Sequence, residues 1–193
     1  ATFQPLLANL IAKALPIPVL PPVIQIVFLF ILYCYIIIMI KNKFLTFILF
    51  FIITYSASLI GGLATINFKE PWYSLIIRPS FSPPDWVFAP VWTTLYFMMT
   101  LAVWLFWHST NRDMKTIYIY FIHIIVNTTW SITFFVFHQI AISILVLIIL
   151  ITLIIILIRN FKRVNLMSSY LMIPYLLWCC FALVLNVSIF VLN

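Results

Sequence analysis

Three tryptophans, Trp92, Trp130 and Trp178, stand in long apolar stretches of this sequence together with two amides, Asn127 and Asn186. Indole offers a broad π face for stacking and an N–H edge for hydrogen bonding. An amide is costly to place against an apolar solvent, so Asn127 and Asn186 mark inward faces. At 3.6 residues per turn, His123, Asn127, Trp130 and Phe134 fall on one helical stripe, and Trp92, Tyr96 and Met99 on a second. Trp178 and Ala182 neighbour each other on a third, with Asn186 one turn further. The chemistry open to such stripes is π stacking with a few directed hydrogen bonds. Each residue also has a packing role open to it: Trp130 between helices, Asn127 as a helix-bridging amide. For His123, a helix–helix hydrogen bond is favoured over approach to a bound ring or metal. No positioned acid–base pair, nucleophile with base, or metal cluster is visible, which argues against ordinary hydrolytic or transfer catalysis. Cys34, Cys179 and Cys180 lie in apolar stretches without CxxC spacing and read as small buried side chains. With only Gly61 and Gly62 in the chain, no nucleotide-cradling glycine loop exists, which excludes an ATP-driven pump for this chain alone.

The elements that carry these residues follow from the solvent. Apolar residues make up 66% of the chain and charged ones 7%, with a mean hydropathy of +1.26; soluble domains carry roughly 25% charged residues. In hydrocarbon only helices or closed barrels satisfy the backbone, and barrel strands would alternate apolar with polar residues. Stretches such as Ile140–Ile158 are continuously apolar. The fold class is therefore all-α and polytopic. Spans of about 20 residues read as Val23–Ile40, Phe44–Ile66, Val87–Trp107, Ile117–Phe137, Ile140–Ile158 and Leu166–Leu192, with every charged residue left between them. Ile140–Ile158 offers only Ser143 and Thr152 as polar groups and is expected to face mainly lipid.

The first segment stands apart. Residues 1–38 read as an N-terminal extension with a possible extra transmembrane helix at about 23–40, after a short surface helix stopped by Pro16, Pro18, Pro21 and Pro22. From Met39, the stretch MIKNKFLTFILFF looks like a natural membrane-protein start. Two readings stay open: a segment outside the functional module, which is then residues 39–193, or a genuine sixth span joined through Lys41-Asn42-Lys43. Lys41, Lys43, Arg112, Lys115, Arg159, Lys162 and Arg163 fall on one side of alternating spans, and the positive-inside rule puts that side in the cytoplasm. The segment 67–86 then faces outward. This bias accounts for the net charge of +7 without a nucleic-acid partner.

The segment Trp72–Tyr96 holds Pro79, Pro83, Pro84 and Pro90 among Trp72, Tyr73, Phe81, Trp86 and Trp92. Proline fixes φ and removes a donor, so the segment is stiff without being a regular helix. Non-helical backbone must sit at the interface or over a cavity; an interfacial aromatic belt is the plainer alternative. The ordered run W-Y-x-x-L-x-x-P-x-x-x-P-P-x-W-V-F-x-P-V-W-x-x-L-Y shifts the balance towards a cavity cover, because it resembles the first loop and second-helix start of the TspO/MBR family. Asn127-Thr128-Thr129-Trp130-Ser131 with Phe134-Phe135 resembles that family's third helix. Pro174-Tyr175-Leu176-Leu177-Trp178, Phe181-Ala182 and Leu185-Asn186 resemble its fifth.

The resemblance implies a five-helix bundle with a cavity under the first loop, the extra N-terminal hydrophobic segment being additional to it. It implies binding of porphyrins or other tetrapyrroles such as protoporphyrin IX, as a sensor, regulator or translocator, with pocket positions at Tyr73, Trp92, Asn127, Trp130, Trp178, Ala182 and Asn186. Light-dependent porphyrin degradation, where it occurs, would fall to Trp92 and Trp178. No cofactor is required and no metal is expected; the porphyrin is the ligand, and the membrane lipid and a possible homodimer are the other partners. A mostly aromatic cavity with few polar groups suits a large flat apolar ligand. Arg78 could draw ligand carboxylates from the loop, although interfacial snorkelling is the favoured account of it. The chain ends without the Tyr and Lys or Arg of a cholesterol-recognition pattern, which places steroid carriage in doubt. The third family helix shows no clear small-xxx-small seam. Few glycines and an Ile-rich fourth helix suggest, through codon bias, an AT-rich bacterial source, and with it a bacterial cell membrane.

Overall fold

A computed structural model describes residues 42–193; the extension 1–38 and the span at about 23–40 lie outside the described residues. Among those described, the elements are helical and no strand occurs. They are α1 (Lys43–Phe68), α2 (Trp72–Leu75), a 3-10 turn (Asp85–Val87), α3 (Phe88–Trp107), α4 (Met114–Ser131) with a π turn (Ile132–Val136), α5 (Ile140–Val164), α6 (Leu166–Leu171) and α7 (Ile173–Leu192). Five spans long and apolar enough to cross a membrane result: α1, α3 with its 3-10 turn, α4 with its π turn, α5, and α6 with α7. The chain is a multi-pass integral membrane protein.

Side-chain caps set several helix starts. Asn42 Oδ1 accepts from the amides of Phe44 and Leu45 at 2.9 and 3.1 Å. Asp113 accepts from the Thr116 amide at 2.8 Å, and Asn165 from that of Ser168 at 3.1 Å. Each such cap contributes about 1 kcal/mol. The sequence reading took Leu166–Leu192 as one helix, but it breaks at Met172, because Pro174 cannot donate to the ladder and its ring collides with the preceding turn. Helix α5 runs past the expected Ile158 to Val164, carrying Arg159, Lys162 and Arg163 in its last turns. Cations there suit the negative end of the helix dipole.

Helices in lipid gain little from apolar burial against one another, so close packing and interhelical hydrogen bonds hold them. Both are concentrated in the half of the bundle that holds the start of α1. Phe50, Val103, Phe106, Tyr120, Phe161 and Tyr175 are fully buried there. Phe50 stacks on Phe121 at 6.4 Å and meets Trp107 edge-on at 5.9 Å, while Phe106 meets Phe161 at 4.9 Å. The hydroxyls of Thr54 and Tyr120 are 2.6 Å apart. On α5, Ile142, Leu145, Ile148 and Ile156 face outward as expected, yet Ser143, Leu147, Leu150, Ile154, Leu157 and Phe161 form a buried stripe at three- and four-residue steps. An all-apolar helix conceals that stripe from sequence periodicity, because both faces read alike.

At the α1 start, Trp104 Nε1 donates to the Lys43 carbonyl at 2.9 Å, and His108 Nε2 lies 2.8 Å from Thr46 Oγ1. Burial first, then the charges of Lys43 and Arg112, lowers the His108 pKa from its ordinary 6.5. A depressed imidazole pKa means that the unfolded chain binds the extra proton more readily, so this contribution is full above 6.5 and is lost as the pH falls through the folded value. Melting in detergent should show a midpoint that declines below pH 6.5, and His108→Gln should remove that part of the decline.

Candidate functional site

The other half of the bundle is hollow. A cavity of about 480 Å³ lies beneath the segment that joins α1 to α3. Helix α1 gives Ser58, Gly61, Gly62 and Thr65 to its wall; α3 gives Phe88, Trp92 and Tyr96; α4 and its π turn give Trp130, Ser131, Phe134 and Phe135; α7 gives Trp178, Phe181, Ala182 and Asn186. The wider π turn lets two adjacent residues, Phe134 and Phe135, both reach the void, and such turns are frequent at functional sites. Their rings meet edge-on at 4.9 Å. Helix α5 supplies no wall residue; it acts through Ser143, whose Oγ accepts from Asn186 Nδ2 at 2.8 Å.

The joining segment forms a lid. Tyr73, on the short helix α2, is buried and turned onto the cavity. Trp72 stacks on His138 at 4.5 Å and meets Phe134 edge-on at 5.3 Å. The Asn193 side chain pairs with the Ile77 backbone, accepting from its N–H at 2.8 Å and donating to its carbonyl at 3.0 Å. Asp85 is bonded to both Lys69 and Arg78. Phe81 rests on Phe181 at 6.4 Å. The proline-rich backbone is therefore tied down from several helices, and α2 gives it one helical turn that the sequence reading did not include.

Of the seven positions singled out from the sequence, the structure gathers Tyr73, Trp92, Trp130, Trp178, Ala182 and Asn186 on this one wall and sets Asn127 behind it. Trp92 stacks on Tyr96 at 5.4 Å and meets Tyr175 edge-on at 6.2 Å. Trp178 meets Phe88 edge-on at 5.9 Å, and Trp130 stacks on Phe134 at 5.7 Å. The Trp130 Nε1 is buried without a hydrogen-bond partner. Under the Trp92–Tyr96 pair runs a buried chain of hydrogen bonds. The Tyr96 hydroxyl donates to Asn127 Oδ1 at 2.6 Å, and Asn127 Nδ2 donates to the Tyr175 hydroxyl oxygen at 2.8 Å. His123 Nε2 lies 3.0 Å from that same hydroxyl and its Nδ1 lies 3.3 Å from the Tyr120 carbonyl. These partners assign the protons: Nδ1–H donates to the carbonyl, and Tyr175 donates to Nε2. His123 thus makes the interhelical bond, from α4 to α7.

The α1 wall went unrecognised in the sequence, although the signal was there: the chain's two glycines are adjacent and sit in a stretch, Ser56 to Ala64, in which six of nine residues are small. A Cβ on Gly61 would come within 2.9 Å of Ser131 Oγ, so α1 and α4 approach closely there, whereas one on Gly62 would meet nothing within 4 Å. Among the described residues no group of three His, Cys, Asp or Glu is placed to hold a metal ion. The wall's ionisable groups other than the tyrosines are Lys69, Glu70 and Asp85, at the lid.

A family model described as the TspO/MBR family matches residues 44–192. The "Tryptophan-rich protein TspO" of Archaeoglobus fulgidus is 31% identical over 137 residues, covering 69% of this chain and 87% of the relative. "Protein CrtK" of Rhodobacter capsulatus is 30% identical over 136 residues, with 69% and 85% covered. The human "Translocator protein" is 29% identical over 119 residues, with 60% and 70% covered.

Tyr175 is the centre of the buried chain, so Tyr175→Phe strands both Asn127 Nδ2 and His123 Nε2, whereas Tyr96→Phe strands Asn127 Oδ1 alone. Stranded buried groups cost about 1–3 kcal/mol each. Unfolding in detergent should therefore show Tyr175→Phe as clearly the more destabilising; equal losses would mean that the chain is not coupled as described.

Proposed function

We propose that this chain, which belongs to the TspO/MBR family, binds a porphyrin or another tetrapyrrole in the aromatic cavity beneath the lid, as a sensor or translocator of that ligand. The observation that carries the reading is convergence: indoles from three separate spans, with Tyr73 from the lid, border one void of about 480 Å³. Small-molecule sites occupy roughly 300–1,000 Å³ and are mostly apolar with a few placed polar groups. Stacking faces come from Trp92, Trp130 and Trp178, and polar groups from Asn186, Ser58, Thr65 and Ser131. The name borne by the human relative, translocator protein, agrees with the translocator reading. The reading needs no further cofactor.

A second reading, light-dependent degradation of the bound porphyrin, is favoured by one observation: Trp92 and Trp178 are both on the wall, with Trp92 stacked on Tyr96. Electron-rich rings would then face the photoexcited ligand directly.

The basic residues at the α1 start, around the α3–α4 connection and in the last turns of α5 favour that end in the cytoplasm and the lid outside, in a bacterial cell membrane on this reading. A membrane-impermeant thiol reagent should label Phe81→Cys in intact cells and Arg163→Cys only after permeabilisation; the reverse pattern would invert the topology.

Protoporphyrin IX added to purified protein should quench tryptophan fluorescence at micromolar ligand, in light and in darkness. Gly62→Leu should weaken this roughly tenfold, because the new side chain enters the void, while leaving the melting midpoint unchanged or higher. Absence of quenching overturns the porphyrin reading. Bleaching of the ligand in light that disappears in Trp92→Phe or Trp178→Phe establishes the second reading as well.

A further inference from the structure

The cavity rim carries charges that stacking does not use. Lys69 Nζ and Arg78 Cζ lie 5.0 and 5.1 Å from the centre of the Tyr73 ring. Both cations bind one carboxylate: Lys69 at Asp85 Oδ2, and Arg78 Nη1 at Oδ1, 3.1 Å away. Lys69, Tyr73 and Asp85 all border the void. The other acidic residue nearby, Glu70, is 3.9 Å from Lys69 Nζ and accepts from the Ser74 hydroxyl at 2.5 Å. Asp85 is thus a carboxylate held between two cations, at the lip of a space that is otherwise nearly all aromatic and aliphatic. Its side chain is 49% exposed, and an ion pair in such a setting is worth little enough to exchange.

We infer that Lys69 and Arg78 form a carboxylate-binding subsite, that Asp85 fills it when the cavity is empty, and that the ligand class is a planar apolar acid whose own carboxylate takes the place of Asp85. The inference rests on the ligand-binding reading of the cavity and adds the acid requirement to it. Exchange of one carboxylate for another keeps the number of ion pairs constant and returns Asp85 to water. Asp85 is tethered, so it competes at a high effective concentration. A free acid cannot match that unless a second part of the same molecule is anchored, and stacking in the cavity provides the anchor. Asp85 therefore makes the site select for molecules that are both flat and acidic. Release of Asp85 also unties two of the lid's moorings, which couples occupancy to the lid.

The test titrates protoporphyrin IX and its dimethyl ester, which share a macrocycle and differ in the carboxylates, against four proteins by fluorescence quenching. In the unaltered chain the acid should bind more tightly than the ester. Asp85→Asn keeps the shape of the side chain and should tighten the acid roughly 2- to 5-fold with the ester unmoved. Lys69→Gln and Arg78→Gln should each weaken the acid by a similar factor, again without moving the ester. An equal change for acid and ester in Asp85→Asn would mean that the residue only ties the lid, and would overturn the inference. So would equal affinity for acid and ester in all four proteins, a result that leaves the binding reading intact. If neither compound binds, both readings fall. Should Asp85→Asn misfold, the acid-to-ester ratio in Lys69→Gln decides.

Discussion

A void among lipid-embedded helices survives only if something away from the void holds the helices apart. Without water there is no hydrophobic force pressing them together, but there is none propping them open either. Here the separation is set in the opposite half, where Phe50, Phe106, Phe161 and Tyr175 fill the bundle and the Tyr96–Asn127–Tyr175–His123 chain crosses between α3, α4 and α7. That chain has one consistent assignment of donors, so its members cannot slide past one another without stranding a buried polar group. Trp92 rests on Tyr96 at the upper end of it. The position of the first stacking face is therefore fixed by polar bonds that lie outside the cavity.

The spans and the aromatic wall were legible in the sequence to different depths. Length and hydropathy located five spans within a few residues, because the cost of an unpaired charge in hydrocarbon keeps Lys and Arg near the ends. Helical periodicity put His123, Asn127, Trp130 and Phe134 on one inward stripe, and all four do face inward. It could not say at what depth. At about 1.5 Å per residue that stripe climbs from the packed half into the hollow one, so Asn127 bonds tyrosines while Trp130 and Phe134 border the void. Phe135 escaped the same reasoning because a π turn alters the step between residues. Gly61 and Gly62 escaped it because small residues reveal a wall by what they leave empty, and only a second helix at a known distance shows the emptiness. The pairing of Lys69 with Asp85, across an irregular loop, has no periodic signature at all.

The lid depends on a different balance. Its prolines lower the entropy lost on ordering the segment but cannot position it, since they supply no amide donors. Position comes from three partners outside the segment: Trp72 stacks on His138 of the α4–α5 connection, the Ile77 backbone pairs with Asn193 after α7, and Phe81 rests on Phe181 of α7. These are ring stacks and amide bonds rather than ion pairs. The Asp85 pairs alone among the moorings respond to an ionic ligand. A stiff segment with one ionic tie can stay in register while that tie is exchanged.

This division of labour bears on what the cavity can do chemically. Proton-transfer catalysis needs an acid or base aimed at the reacting atom within hydrogen-bond reach. On this wall Tyr96 is already committed to Asn127, and Lys69, Glu70 and Asp85 are engaged at the rim with one another or with Arg78 and Ser74. The deep surface presents π faces, methylenes, small hydroxyls and the amide of Asn186, itself bonded to Ser143. Such groups hold a flat guest and discriminate by shape. Any chemistry done there must draw its driving force from the guest, as a light-absorbing macrocycle can, with indoles as the electron-rich neighbours. On the proposed reading, binding is what the protein's own groups would supply, and reactivity, where it follows, would belong to what is bound.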